Sequence, residues 1–221
     1  ACASAALEQF TPFWEHIVKM LQQLMDVTGE LIPLRARALD CVGVISMAVG
    51  KDVFAPYFDY FMNKALESYH MQNDEPILRE MAINFFGNAA EALQQDFAPY
   101  FETALGLILE SLTNVDGAQP ELDDSNRAMA QLMVDSDDDD DAIDRNLGTV
   151  HDDEDRLPGE LTGLHYVTNQ GLVEEKTVAL QALGTFAHAM GPLFVPHIAR
   201  CMEVLDVTAT YVHPKVRSFT I

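Results

Sequence analysis

An all-α fold, an α-solenoid of stacked antiparallel helix pairs interrupted by one long acidic insertion, is what this 221-residue sequence predicts. Three observations carry the prediction. A four-residue phrase recurs as Phe10-Thr-Pro-Phe13, Phe54-Ala-Pro-Tyr57, Phe97-Ala-Pro-Tyr100 and Phe194-Val-Pro-His197, the first three copies starting 44 and 43 residues apart. A fixed period in this range marks repeated helix pairs. Upstream of the last three copies a second pattern recurs: Leu34-Arg35-x-x-Ala38 before Gly43, Leu78-Arg79-x-x-Ala82 before Gly87, and Glu175-Lys176-x-x-Ala179 before Gly184. The fourth phrase lies 97 residues beyond the third, one period plus an excess of about 54, which is where the insertion falls.

Taken in order, the repeat units run over about 1–28, 29–70, 71–113 and 173–208, with the start of another at 213–221, and the acidic insertion occupies 114–172. Both ends read as cuts through a longer array. First helices fall near 33–49, 76–93 and 173–190, and second helices near 11–27, 55–70, 98–113 and 195–208. Pro33 and Pro76 open first helices, where a missing amide hydrogen costs nothing. Gly in a helix interior costs about 1 kcal/mol against Ala, so its recurrence at 43, 87 and 184 points to close approach of a neighbouring helix. The expected joints between the two helices of a pair are Phe10 and Pro12, Phe54 and Pro56, Phe97 and Pro99, and Phe194 and Pro196, because proline fixes φ and disfavours helical geometry in the residue before it. Downstream, Phe54, Phe58, Phe61 and Ala65 recur as Phe97, Phe101, Ala104 and Ile108, the buried stripe of a second helix.

Charge directs attention to partners. Thirteen basic residues against 35 acidic ones give a formal charge of −22, which argues against direct nucleic-acid contact and for basic proteins as ligands. Residues 113–172 alone hold 16 acidic and three basic side chains, including Asp137, Asp138, Asp139, Asp140 and Asp141. Such density of like charge with few aromatics disfavours a packed core, so most of the insertion is expected to be disordered, with a short helix over 125–134 and an extended stretch over 163–168. Asp135, Asp137 and Asp139 alternate like calcium-loop ligands, but Asp140 stands where that loop needs Gly and Asn146 where it needs Glu, so no metal site is expected. Glu15, Asp59 and Glu102 share one repeat position and would stack into a carboxylate column, either a solvated face or a patch for Lys and Arg of a partner. Arg35, Arg79, Lys176 and Arg217 form a basic column, read as structural ladders between repeats.

Catalysis finds no support. The seven histidines are scattered without metal-ligand spacing, and neither a phosphate-binding glycine loop nor a nucleophile motif is present, so no catalytic, cofactor or metal site is expected. Cys2, Cys41 and Cys201 are odd in number and far apart, which favours buried thiols in a reducing compartment over a disulfide framework. No apolar run approaches the roughly 18 residues that cross a bilayer.

Helix pairs with Leu-Arg-x-x-Ala and Gly in the first helix and Phe-x-Pro-Tyr opening the second resemble the HEAT repeats of the importin-β (karyopherin-β) superfamily. Ala48-Val-Gly-Lys-Asp-Val-Phe54, and the acidic insertion followed by Gly171-Leu-Val-Glu-Glu-Lys-Thr-Val-Ala-Leu-Gln-Ala-Leu-Gly184, look like the central region of the branch with importins four and five. The resemblance implies a nuclear transport receptor, shuttling between cytoplasm and nucleus, that carries basic cargo such as ribosomal proteins or histones, contacts Phe-Gly nucleoporins and releases cargo to Ran-GTP. It implies that Ran is met mainly through repeats outside this stretch, and that second helices face the cargo. Asp137 to Asp141, with Glu15, Asp59 and Glu102, are then the candidate cargo-binding residues. HEAT scaffolds of phosphatase or chromatin complexes are the alternative class.

Overall fold

The computed structural model describes residues 2–71, 76–114, 170–211 and 213–220. Every regular element among them is helical. The helices are α1 (Cys2–Ala6), α2 (Thr11–Leu24), α3 (Ile32–Val49), α4 (Lys51–Tyr69), α5 (Pro76–Leu93), α6 (Ala98–Thr113), α7 (Gln170–Met190), α8 (Ile198–Ala209) and α9 (Pro214–Thr220). Short 3-10 turns at Leu7–Phe10, Gly29–Leu31, Gln94–Phe97, Gly191–Leu193 and Val195–His197 complete the described connections. The insertion lies outside the described residues except at its edges, and with it Asp137 to Asp141, the calcium-like run and the stretches at 125–134 and 163–168.

First helices pack on first helices through small residues. A Cβ built on Gly43 would stand 2.9 Å from Asn88 Nδ2, and one on Gly87 would stand 3.4 Å from the Cβ of Ala182. The glycines in α3 and α5 therefore admit the next first helix, α5 and α7 respectively. Polar rungs cross the same contact: Asn84 Nδ2 donates to Asp40 Oδ1 at 2.6 Å.

Second helices meet through aromatic rings. The residue four after each of the first three phrase phenylalanines, Trp14, Phe58 or Phe101, is buried beneath the next phrase. Trp14 lies 6.2 Å from Phe54 and 5.6 Å from Tyr57; Phe58 lies 5.7 Å from Phe97 and 5.2 Å from Tyr100; Phe101 lies 6.2 Å from Phe194 and 5.3 Å from His197. Three successive junctions thus use one tilted or edge-on aromatic arrangement, favourable beyond area burial alone. The rings belong to one continuous core that also takes Phe61, Phe85, Phe86 and Phe186. A smaller cluster of Ile32, Ala36, Leu78 and Met81 seals the starts of α3 and α5.

One joint differs from the expectation. Between α3 and α4 the chain turns at Gly50, whose φ of 78° and ψ of 171° suit glycine alone. Because the reversal is already complete there, α4 begins at Lys51, Phe54 lies within it, and Pro56 is inside the helix rather than at its start. Pro12 and Pro99 do stand in the first turns of α2 and α6, and Pro196 lies in the 3-10 turn before α8. At the third joint Gln94 takes the left-handed φ of 53° that Gly191 takes, at 47°, before the fourth phrase. The Gln94 side chain donates to the Glu91 carbonyl at 2.6 Å, part compensation for that strain. The thiol expectation is met at Cys201, which is buried and free, and fails at Cys41, which is free but on the exposed side of α3.

Candidate protein-binding face

The second helices α2, α4 and α6 each present one carboxylate five residues after the phrase phenylalanine: Glu15, Asp59 and Glu102, all exposed. They share one repeat position, which falls in the second turn of α2 and α6 and in the third turn of α4, because α4 starts four residues earlier relative to its phrase. Two are tied to the following unit. Tyr100 Oη donates to Asp59 Oδ1 at 3.1 Å, and His197 Nε2 lies 3.0 Å from Glu102 Oε1, an ion pair when the imidazole is protonated. In both cases the donor is the fourth residue of the next phrase. The remaining oxygen of each carboxylate has no protein donor among these contacts. Exposed pairs of this kind are worth about 0–1 kcal/mol, so they orient the carboxylates more than they stabilise the stack.

Farther along the second helices, Lys64 Nζ contacts Asp26 Oδ1 at 2.6 Å and Glu67 Oε2 at 3.2 Å. The hydrogen bond from Lys64 holds the Asp26 carboxyl below its ordinary range, and the same bond raises the Lys64 ammonium. Burial pushes the Glu67 carboxyl up, but Lys64 and Arg35 outweigh it and hold it low.

The basic column is structural in a way that changes along the chain. Arg35 is buried; its Nε donates to Ser68 Oγ at 3.0 Å, and its Nη2 reaches the Lys64 carbonyl at 3.5 Å and Glu67 Oε1 at 3.3 Å. It therefore closes the end of α4, its own unit's second helix. Arg79 instead reaches forward, with Nε 3.0 Å from Glu175 Oε2 on α7. The other oxygen of Glu175 accepts from Ser111 Oγ at 2.7 Å. Lys176 reaches backward: its Nζ donates to the carbonyls of Ser111, Leu112 and Asn114 at 2.8, 2.9 and 2.6 Å, capping α6, the second helix of the unit before. The ring of Tyr211 sits 5.3 Å from the ammonium. Glu175 and Lys176 are only 2% and 3% exposed. Burial draws the Lys176 pKa down to about 8, with Glu175 opposing the shift. Beside them Tyr69 Oη donates to the Leu107 carbonyl at 2.9 Å, and burial, with Glu110 and Glu175, pushes its hydroxyl well above the ordinary tyrosine range.

Sequence reasoning aligned Arg35, Arg79 and Lys176 but did not find Ser68 and Ser111, which answer them. The signal was present: each serine follows its phrase phenylalanine by 14 residues. The burial of Glu175 carried no signal, because the equivalent positions hold Leu34 and Leu78.

Among the described residues no group of His, Cys, Asp and Glu could hold a metal ion, and no helix is long and apolar enough to cross a membrane. What the described second helices offer is one exposed carboxylate per repeat, on three successive helices.

A family model described as importin subunit beta-1-like, TPR repeats, matches residues 1–132. A probable importin subunit beta-4 of Schizosaccharomyces pombe is 28% identical over 219 residues, 98% of this chain and 19% of that protein. Human importin-4 is 28% identical over 127 residues, 57% of this chain and 12% of its own length. Among solved structures, the karyopherin Kap121p bound to Pho4p superposes with a TM-score of 0.68 at 17% identity, over 99% of this chain and 19% of that one. The chain spans about a fifth or less of the length of these relatives. With the family model covering residues 1–132 and the same helix-pair architecture continuing beyond, the chain belongs to the importin-β superfamily of nuclear transport receptors, near its importin-4 and importin-5 members.

Proposed function

We propose that this chain supplies a cargo-binding stretch of such a receptor and that its cargo is basic, of the ribosomal-protein or histone kind. The observation that carries the reading is the charge: −22 over 221 residues, densest in the sequence segment with Asp137 to Asp141, with Glu15, Asp59 and Glu102 separately exposed on the second helices. A strongly negative chain steers oppositely charged partners and raises encounter rates. Asp59 and Glu102 support it further, since each has one oxygen engaged and one available to a Lys or an Arg. Family members are receptors and not enzymes, which agrees with the absence of catalytic motifs in the sequence. In the whole protein the receptor would shuttle between cytoplasm and nucleus, meet Phe-Gly nucleoporins and respond to Ran-GTP, the last mainly through repeats outside this stretch.

The test is binding of a fluorescent Lys/Arg-rich histone-tail peptide to three forms of the chain: wild type, one with 135–155 replaced by a neutral linker, and the triple variant E15Q/D59N/E102Q. Loss of the acidic segment should weaken binding by about tenfold or more, roughly 1.4 kcal/mol, and flatten its salt dependence. Unchanged affinity in both altered forms at every salt concentration ends the basic-cargo reading.

A further inference from the structure

The starts of neighbouring first helices are sealed differently at two successive contacts. Between α3 and α5 the seal is the apolar cluster of Ile32, Ala36, Leu78 and Met81. With Arg35, Arg79 and Lys176 aligned, the same four places between α5 and α7 fall to Pro76, Glu80, Glu175 and Val178. Two of these are carboxylates. Glu175 is buried, and Glu80 is half-buried, its carboxyl raised by burial and by nearby Glu174. Of the three buried side chains in the first two turns of α7, Val173, Glu175 and Lys176, only the first is apolar.

Each basic residue also has a buried hydroxyl in its own pair, 14 residues after the phrase phenylalanine: Ser68, Ser111 and Thr208. Arg35 takes its own, at 3.0 Å. Arg79 and Lys176 do not. Glu175 bridges Arg79 and Ser111 with its two oxygens, and Lys176 lies on the carbonyls that end α6, while Thr208 Oγ1 donates to the Leu205 carbonyl at 2.9 Å. Arg35 therefore displays, within the same chain, a second arrangement open to both.

We infer that the first two turns of α7, Gln170 to Lys176, form a strap with two positions: the crossed arrangement described above, and a released one in which Arg79 withdraws to Ser111 and Lys176 to Thr208, as Arg35 holds Ser68, while Glu175 passes into water. Release exchanges partners rather than stranding them, and it returns a buried carboxylate to solvent, so the two arrangements lie close in energy. The pivot is the tight contact of Gly87 with Ala182, where a built Cβ stands 3.4 Å from the neighbouring one. Beyond it Phe186 and Phe194 stay packed on Phe101, so the aromatic junction keeps its register while the start of α7 moves. Because Lys176 caps α6, release opens the end of α6 and the start of α7 together.

Residue-resolved hydrogen exchange of the 221-residue chain at neutral pH tests this. Amides of 107–114 and 174–178 should share one opening, at least about tenfold more frequent than that of the aligned amides of 64–69 and 80–84. E80A/E175L copies the apolar seal of Ala36 and Leu78 and should slow exchange in both segments to the level of the aligned ones. T208V removes only the hydroxyl that receives Lys176 in the released form and should slow the shared opening about fivefold, with unchanged helical circular dichroism verifying the fold. A merely structural Thr208 would not slow it. Three outcomes overturn the inference: amides of 174–178 as protected as those of 80–84 in the wild type; fast exchange at the start of α7 with the end of α6 protected, which is ordinary fraying of a helix end; or no slowing in a folded T208V.

Discussion

The junction between the second and third helix pairs and the junction between the third and fourth use the same aromatic arrangement and opposite polar ones. In both, a phenylalanine of one second helix lies under the next phrase, Phe58 under Phe97 and Tyr100, Phe101 under Phe194 and His197. In the first of these regions, where sequence runs on almost without interruption, Arg35 of the second pair closes its own α4, Arg79 of the third turns away toward Glu175, and one part-buried bond, Asn84 to Asp40, crosses the junction. In the second, the two pairs are separated by residues 114–169, and Lys176 crosses to the earlier pair to cap α6 while Glu175 binds Arg79 and Ser111. Where covalent continuity is remote, buried polar contacts do the joining, and their directionality fixes the register that an aromatic contact alone leaves loose. Such a network depends on full satisfaction, because a buried charge stripped of partners is costly.

The comparison can be broken most directly by truncating the shared part. Phe58→Ala and Phe101→Ala should each cost about 4 kcal/mol, the usual range for a buried Phe lost without collapse, measured by urea denaturation. A much smaller cost at Phe101 would mean that the polar contacts alone hold the fourth pair. Next comes the part that differs. Lys176→Met leaves three carbonyls at the end of α6 without their donor and should cost about 2–3 kcal/mol at neutral pH. It should also change the pH dependence. The unfolded chain keeps the Lys176 proton to about 10.5 and the folded chain only to about 8, so between these values the unfolded state binds more protons and stability rises with pH. Above about pH 10 it should fall, because burial raises Tyr69, Tyr60, Tyr100 and Tyr211, and these hydroxyls ionise more readily once unfolded. In Lys176→Met the rise should vanish and the fall remain. The smallest effect separates glycines at one repeat position. Gly43→Ala forces Asn88 aside and should destabilise by about 1 kcal/mol, whereas Gly184→Ala meets no neighbour and should gain up to about 1 kcal/mol from helix propensity, both read from melting at low protein concentration.

The helices and their order were legible because phrase, basic residue and glycine recur in register, and each has a local physical reason to be where it is. The start of α4 was not, since proline marked the joint in three copies while Gly50 alone made it in the other. Periodicity gave Glu15, Asp59 and Glu102 a common position, but not the donors from the next unit that engage two of them, because those bonds span 41 and 95 residues of sequence. The exchange of partners at Lys176 was hidden for a deeper reason. Side-chain length and the neighbouring helix end decide whether a cation reaches into its own pair or the one before, and neither follows from spacing.

Tyr100 with Asp59 and His197 with Glu102 also bear on how the surface can diverge over descent. Because each donor belongs to the phrase that builds a joint and each acceptor to the exposed carboxylate column proposed to meet a partner, a substitution that retunes one is felt by the other. Drift at these sites should therefore come as matched changes, and a lineage that abandons one of these carboxylates should show its counterpart in the following phrase released at the same time.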